Sequence, residues 1–322
     1  SSSLSRTAVW FPCNLGQHAA NPCGCAYLEC DMQKRLSMIA GGIPQHLPLW
    51  PGMEHPCMRF VAPEQTPPPM HRGAAMLVLR GGAYRINDGP GAGCAEYFAK
   101  HGVLGIEVEY RTVEGPGACA AGLDEDLFPR PIHDVVRAMR LVRSMAPELG
   151  VDANRIGIAG FCAGGHLATI LCNSELPCEE APDDDLAFMS YRPDVCILSY
   201  PVISLSTDMR GLANLSGAAE RICSLPELED RLSAELHVSP GHPPTFIWHA
   251  REDEVVPVAH SLMYAQALEE QGVPHRLVLY EKGPDALGRN LEGTFVNDWA
   301  EQMLSWLAGW VAPRFCPPVT LL

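Results

Sequence analysis

The segment Arg155-Ile-Gly-Ile-Ala-Gly160-Phe-Cys162-Ala-Gly164-Gly165-His166-Leu sets a nucleophilic side chain between two glycines, where an apolar run meets a helical pattern. The spacing is that of a G-x-S-x-G turn with cysteine in place of serine. A nucleophile held there occupies a strained turn, so only glycine tolerates the close packing two residues before and two after. The helix that follows aims its N-terminal dipole at the same point, which lowers a thiol pKa and stabilises an oxyanion. Cys162 is therefore a candidate nucleophile, and the backbone N–H of Ala163 a candidate oxyanion donor. The bland alternative is a tight strand-to-helix turn with a buried cysteine.

A second glycine pair completes the pattern. Leu77-Val-Leu-Arg80-Gly81-Gly82-Ala83-Tyr84 reads as a strand ending in a loop whose N–H groups, at Gly81 and Gly82, are free to face a developing negative charge. The corresponding loop of lipases and esterases reads His-Gly-Gly-Gly. Here it is Arg-Gly-Gly-Ala, and the plain alternative is a glycine turn.

The elements that must position these groups are legible from periodicity. Apolar runs bounded by turn residues fall at 75–80, 103–110, 155–160, 194–200, 244–249 and 275–280. Such runs suit strands buried on both faces, as in a parallel sheet. Helical patterns alternate with them at Pro131–Met145, Gly164–Cys172, Val258–Gln271 and Val296–Trp310. The alternation predicts an α/β fold, a doubly wound and mostly parallel sheet flanked by helices. Residues 1–70 read as an irregular, Cys- and Pro-rich extension, and 71–315 as the folded domain. The stretches 174–192 and 204–243 read as insertions above the sheet.

Composition narrows the function classes. Of 322 residues, 47% are hydrophobic and 19% charged, which is ordinary for a globular protein with one large core. A formal net charge of −15 repels nucleic acid and anionic lipid. No run of about 18 apolar residues is present, so no membrane span is expected. There are 13 cysteines, five of them early at Cys13, Cys23, Cys25, Cys30 and Cys57. Their spacing is not that of a zinc module, so no metal and no cofactor are expected. Disulfides stapling the extension are favoured instead, which places the protein in a secreted or organelle-lumen compartment. A processed leader or an artificial boundary would each account for a start at Ser1. The sequon Asn214-Leu-Ser216 is weak by itself.

A family resemblance enters with the C-terminal third. Pro244-Thr-Phe-Ile-Trp-His249 through Asp253-Glu-Val-Val-Pro257 resembles the strand and acid turn of the acetylxylan-esterase-like and feruloyl-esterase-like α/β-hydrolases. There the elbow reads Gly-Phe-Ser-Ala-Gly-Gly-His-Leu-Ala, matched here everywhere but the nucleophile. Pro193-Asp194, Ser199-Tyr-Pro201 and Gly272-Val-Pro274 match as well, and the similarity covers roughly 72–312. The resemblance implies Asp253 as the triad acid. It implies a histidine in a motif like Gly-Pro-His-Gly-Leu-Gly, where this chain has Gly283-Pro-Asp285-Ala-Leu-Gly288. The expected Ser-His-Asp set thus reads Cys162, Asp285 and Asp253.

The two substitutions differ in consequence. Dienelactone hydrolases resemble this fold and use a Cys elbow, and a thiolate needs less help from a base than a hydroxyl. Aspartate for histidine is worse, because a carboxylate with a reference pKa of about 3.9 is a poor base at pH 7. Losing a triad histidine costs on the order of 10⁶ in turnover, with roughly 10³–10⁴ over water left from the oxyanion hole and binding. Of the other histidines, His166 and His249 stand where the family also has one, and His166 suits packing or a supporting hydrogen bond. His242, His260 and His275 read as surface or structural, and His71 and His133 have no motif around them. Asp134 matches a family aspartate and reads adequately as a first-turn acid complementing a helix dipole.

Three functions follow. The first is a degenerate hydrolase in a binding or assembly role, with a small ester or carbohydrate-like ligand in the vestigial pocket or a protein partner. The second is an active Cys-dependent ester hydrolase or acyltransferase with an unusual base. The third is non-hydrolytic chemistry using Asp285 as a base of raised pKa.

Overall fold

The computed structural model describes residues 42–63, 73–114, 129–176, 184–205, 226–281 and 298–311. Asp285, Cys13, Cys23, Cys25, Cys30 and Asn214 lie outside the described residues.

Among the described residues eight strands form one sheet: β1 (His46–Pro48), β2 (Cys57–Val61), β3 (Ala75–Leu79), β4 (Leu104–Val108), β5 (Ile156–Phe161), β6 (Cys196–Ser199), β7 (Thr245–Ala250) and β8 (His275–Tyr280). Their order is β1-β2-β4-β3-β5-β6-β7-β8. From β4 to β8 every pairing is parallel, whereas β1–β2 and β2–β4 are antiparallel. The six apolar runs are the six parallel strands. In β3, β5, β6 and β7 every residue is buried, so both faces are covered, which is why these runs do not alternate.

The helices alternate with the strands as α1 (Cys94–Lys100), α2 (Arg130–Ser144), α3 (Ala163–Cys172), α4 (Pro226–Leu232), α5 (Ala259–Glu270) and α6 (Trp299–Val311), with a 3₁₀ turn at Ala234–His237. Four of them match the expected helical segments to within a few residues. Helix α1 was not anticipated, because it is short and follows the glycine-rich stretch 89–93. Strands β1 and β2 come from a stretch that reads as irregular. They are three and five residues long, and β1 ends on a proline, which an edge strand tolerates.

The chain leaves β3 for β4 on one side and returns to β5 on the other. Such a reversal opens a crevice beyond the carboxyl ends of the two central strands. The glycine pair follows β3 and Cys162 follows β5, so the topology brings both to that crevice.

Candidate functional site

Cys162 adopts φ 52° and ψ −116°, between the end of β5 and the start of α3. The backbone is fixed on both sides: its N–H donates to Ser199 O at 3.1 Å, and its carbonyl accepts from His166 and Val202 N–H at 3.2 Å each. The flanking glycines are required by contact. A Cβ on Gly160 would meet Gly164 O at 2.4 Å, and one on Gly164 would meet Leu79 O at 2.3 Å. Among the described residues, four non-glycines have positive φ: Ala83, Tyr84, Cys162 and Tyr200. All four follow the carboxyl ends of β3, β5 and β6. Strain of this kind persists only where the surroundings enforce it, and it gathers at functional sites.

The backbone N–H groups of Ala163 and Gly82 face the Cys162 sulfur and favour its charged form. Gly81 differs from the expectation. Its N–H donates to Pro90 O at 2.9 Å, so it is occupied inside the loop. Gly81 instead permits close approach, since a Cβ there would lie 3.1 Å from the Cβ of Cys162. The loop is braced by Arg80, whose guanidinium binds Glu107 at 2.9 Å and the carbonyls of Asp88 and Gly89. Tyr110 donates its hydroxyl to Arg80 O at 2.7 Å. The residue that replaces the usual histidine is thus a structural clamp.

Asp253 lies in the turn after β7. Its Oδ1 accepts from Val255 and Val256 N–H at 2.9 and 2.8 Å, and its Oδ2 lies 3.6 Å from His249 Nε2. Burial works against its charge, but the His249 ring and the two N–H groups outweigh it and hold the carboxyl below its usual range. At the elbow, burial pushes the Cys162 thiol up to about 11, reinforced by Asp253 and only partly offset by the N–H groups of Ala163 and Gly82.

No imidazole among the described residues hydrogen-bonds to that sulfur. His249 donates Nε2–H to Val256 O at 2.7 Å, which leaves Nδ1 to accept from the Ser261 hydroxyl at 2.7 Å. His166 donates Nε2–H to Leu232 O and accepts from Tyr84 at 2.6 Å, the supporting hydrogen bond expected of it. His260 Nδ1 accepts from the N–H groups of Ile203 and Ser204. Asp134 departs from the dipole reading. It lies beyond the first turn of α2, fully buried, where it takes hydrogen bonds from Trp50 and Arg111. No group of three metal-ligating side chains surrounds Cys162 among the described residues.

One residue inside a family-matched motif, Ser199-Tyr-Pro201, received no role from the sequence. Tyr200, with φ 37°, packs its ring against Phe161, Trp248 and His249. Its hydroxyl is buried and has no hydrogen-bond partner among the described residues. Burial first, then the charges of Cys162 and Asp253, push it well above the ordinary tyrosine range, so it is a neutral donor beside both groups. The usable signal was an aromatic residue between a strand end and a proline.

The chain matches the BD-FAE family over residues 66–268. It is 32% identical over 239 residues to endo-1,4-beta-xylanase B of Butyrivibrio fibrisolvens, covering 73% of this chain and 34% of that protein. It is 27% identical over 247 residues to an acetylxylan esterase of Xylanibacter ruminicola, covering 75% and 47%. The chain therefore spans only about a third to a half of those relatives' lengths. Among solved structures, an acetyl ester-xyloside bifunctional hydrolase from Caldicellulosiruptor lactoaceticus superposes with a TM-score of 0.68 at 28% identity, over 82% of this chain and 96% of that one. A propionate-bound esterase from Thermogutta terrifontis gives 0.61 at 25%, over 79% and 89%. With its strand order, its elbow and these relatives taken together, this chain belongs to the BD-FAE family of esterase-like α/β-hydrolases.

Proposed function

We propose that the site binds small acyl esters, carbohydrate-borne ones among them, and has lost rapid turnover, so that the protein works by binding or assembly. The observation that carries this reading is that, among the described residues, every histidine near the elbow is engaged elsewhere, leaving the buried thiol without a base. Burial pushes that thiol up to about 11, so little of it is ionised at pH 7. Asp285, at the position where the resemblance implies histidine, is a poor proton acceptor at neutral pH. An ester carbonyl could still direct its oxygen to the N–H groups of Gly82 and Ala163, which accounts for binding without efficient acyl transfer. The acyl-ester class is suggested by the relatives that are named as acetyl ester and acetylxylan hydrolases.

The test is hydrolysis of p-nitrophenyl acetate by the native chain, by Cys162→Ala, and by Cys162→Ser combined with Asp285→His. The expectation is that native and Cys162→Ala are equally slow, and that the double variant gains activity. A native rate that Cys162→Ala abolishes would sink the proposal.

A second reading, an active Cys-dependent hydrolase or acyltransferase, is favoured by one observation. The Cys162 backbone holds the strained conformation of a nucleophile turn, and the N–H groups of Ala163 and Gly82 favour a thiolate there. In that case the unpartnered Tyr200 hydroxyl is the first group to test as proton donor, and Tyr200→Phe should lower kcat while leaving the fold intact.

A further inference from the structure

Away from the crevice, three side chains with metal-binding atoms converge at the antiparallel edge of the sheet. His55 precedes β2, Cys57 opens it, and Glu109 follows β4. The β2–β4 register sets Cys57 opposite Glu109, whose N–H donates to Cys57 O at 2.9 Å. Cys57 Sγ lies 3.5 Å from Glu109 Oε2 and 3.8 Å from His55 Nδ1, and Nδ1 lies 2.9 Å from Glu109 Oε1. All three donor atoms fall within 4.8 Å of one another.

The edges of that triangle can be compared with a coordination shell. Ligand bonds of about 2.0–2.3 Å at tetrahedral angles set donors about 3.3–3.6 Å apart. The two sulfur contacts are close to this range, and the Nδ1–Oε1 contact, made by the other oxygen of the Glu109 carboxylate, needs to open by a few tenths of an ångström. The contact between Nδ1 and Oε1 is not aligned as a hydrogen bond, and Oε1, shielded from solvent, has no hydrogen-bond partner among the described residues. That is what a carboxylate oxygen and a ring nitrogen look like when both point at a common centre instead of at each other. A nucleophilic relay is a poorer description, because a relay uses the two opposite ring nitrogens, whereas here the sulfur and the carboxylate face the same one.

We propose that His55, Cys57 and Glu109 bind a divalent transition-metal ion of the zinc class, with the fourth position open to water. Thiolate, imidazole and carboxylate together select zinc or cobalt over magnesium or calcium, which take oxygen ligands. The His55 and Glu109 side chains are 35% and 25% exposed, so an ion has an entry path, while Cys57 is buried beneath them. Binding displaces the thiol proton to solvent. The ion ties the β1–β2 connection to the end of β4. It sits one residue from Tyr110, whose hydroxyl braces Arg80 in the loop behind Gly82.

The full-length reduced protein, stripped with a chelator, is titrated with Co²⁺ and then Zn²⁺. One equivalent of Co²⁺ should raise a thiolate-to-cobalt charge-transfer band in the near ultraviolet, which Zn²⁺ then bleaches. The band should persist when Cys13, Cys23, Cys25 and Cys30 are all replaced by serine, and vanish in Cys57→Ser. His55→Gln and Glu109→Gln should each weaken binding at least about tenfold. The proposal is overturned if native protein gives no band, if the band survives Cys57→Ser, or if it is lost with the four N-terminal cysteines. Should Cys57→Ser fail to fold, native affinity in both His55→Gln and Glu109→Gln overturns it instead.

Discussion

At Cys162 two effects oppose each other, and their magnitudes decide the chemistry. Two N–H groups and a helix N-terminus favour thiolate, whereas burial and the Asp253 carboxylate favour thiol. The second pair wins, so the group is a neutral thiol over the physiological range. This is measurable as the pH dependence of alkylation at the Cys162 peptide, followed by mass spectrometry to separate it from the other cysteines. The labelling rate should rise about tenfold per pH unit from 7 to 10, without a plateau near the ordinary cysteine value. A plateau near pH 7–8 would mean that a base beyond the described residues ionises the thiol, and the active reading would gain. Tyr84, Tyr110 and Tyr200, the phenols whose ionisation couples to Cys162, are all raised by burial, so none supplies a charge below pH 10.

Helix α2 shows how an element can carry charge inside the molecule. Arg137 and Arg140 are almost completely buried, and both direct Nη1 to the Asp184 carboxylate at 2.7 Å. Removing Asp184 takes a buried carboxylate from both guanidiniums at once, while Asp185 still faces Arg137 at 2.8 Å, so Asp184→Ala should cost about 3 kcal/mol in urea unfolding. The exposed Arg251–Glu281 pair is the contrast, and Arg251→Ala should cost under about 1 kcal/mol. Equal losses would show that α2 docks by apolar burial alone. The same element marks the limit of reading from sequence. The helix was legible from its apolar periodicity, but Arg137, Arg140 and Arg143 look solvated until Asp184 and Asp194 arrive from 44 to 51 residues away. The central strands were legible because burial on both faces leaves an unbroken apolar run. Strands β1 and β2 were not, since one is exposed on its edge and both are short. At the site, Cys162 and Gly82 announced themselves through backbone geometry that few residues tolerate. The blocked N–H of Gly81, the clamp made by Arg80 and the orphaned hydroxyl of Tyr200 are tertiary facts with no local signature.

For the molecule as a whole, acid should destabilise the fold even as net charge falls toward zero. The formal charge is −15 at pH 7 and the sequence pI is about 5.2, so acidification from neutrality relieves repulsion between carboxylates. That relief is spread over the surface and screened beyond about 8–10 Å at ordinary salt. Opposing it are His166, His242 and His260, buried and brought down to about 4, first by desolvation and then, for the last two, by neighbouring positive charge. In the unfolded chain they return to about 6.5. Between these values the unfolded state binds more protons than the folded one, so stability rises with pH across the window. It is fully present above about 6.5 and is lost as pH falls toward 4, at up to about 1.4 kcal/mol per pH unit for each histidine. Three such groups, each costing about 2 kcal/mol between pH 7.5 and 5, outweigh a screened surface term. Urea midpoints measured at 0.15 M salt should therefore fall steadily from pH 7 to pH 5. Asparagine at 260 keeps an acceptor for the N–H groups of Ile203 and Ser204, so His260→Asn should flatten the slope by about 1 kcal/mol per unit. Midpoints that hold level or rise toward pH 5 would mean that surface charge, and not the buried imidazoles, governs acid stability.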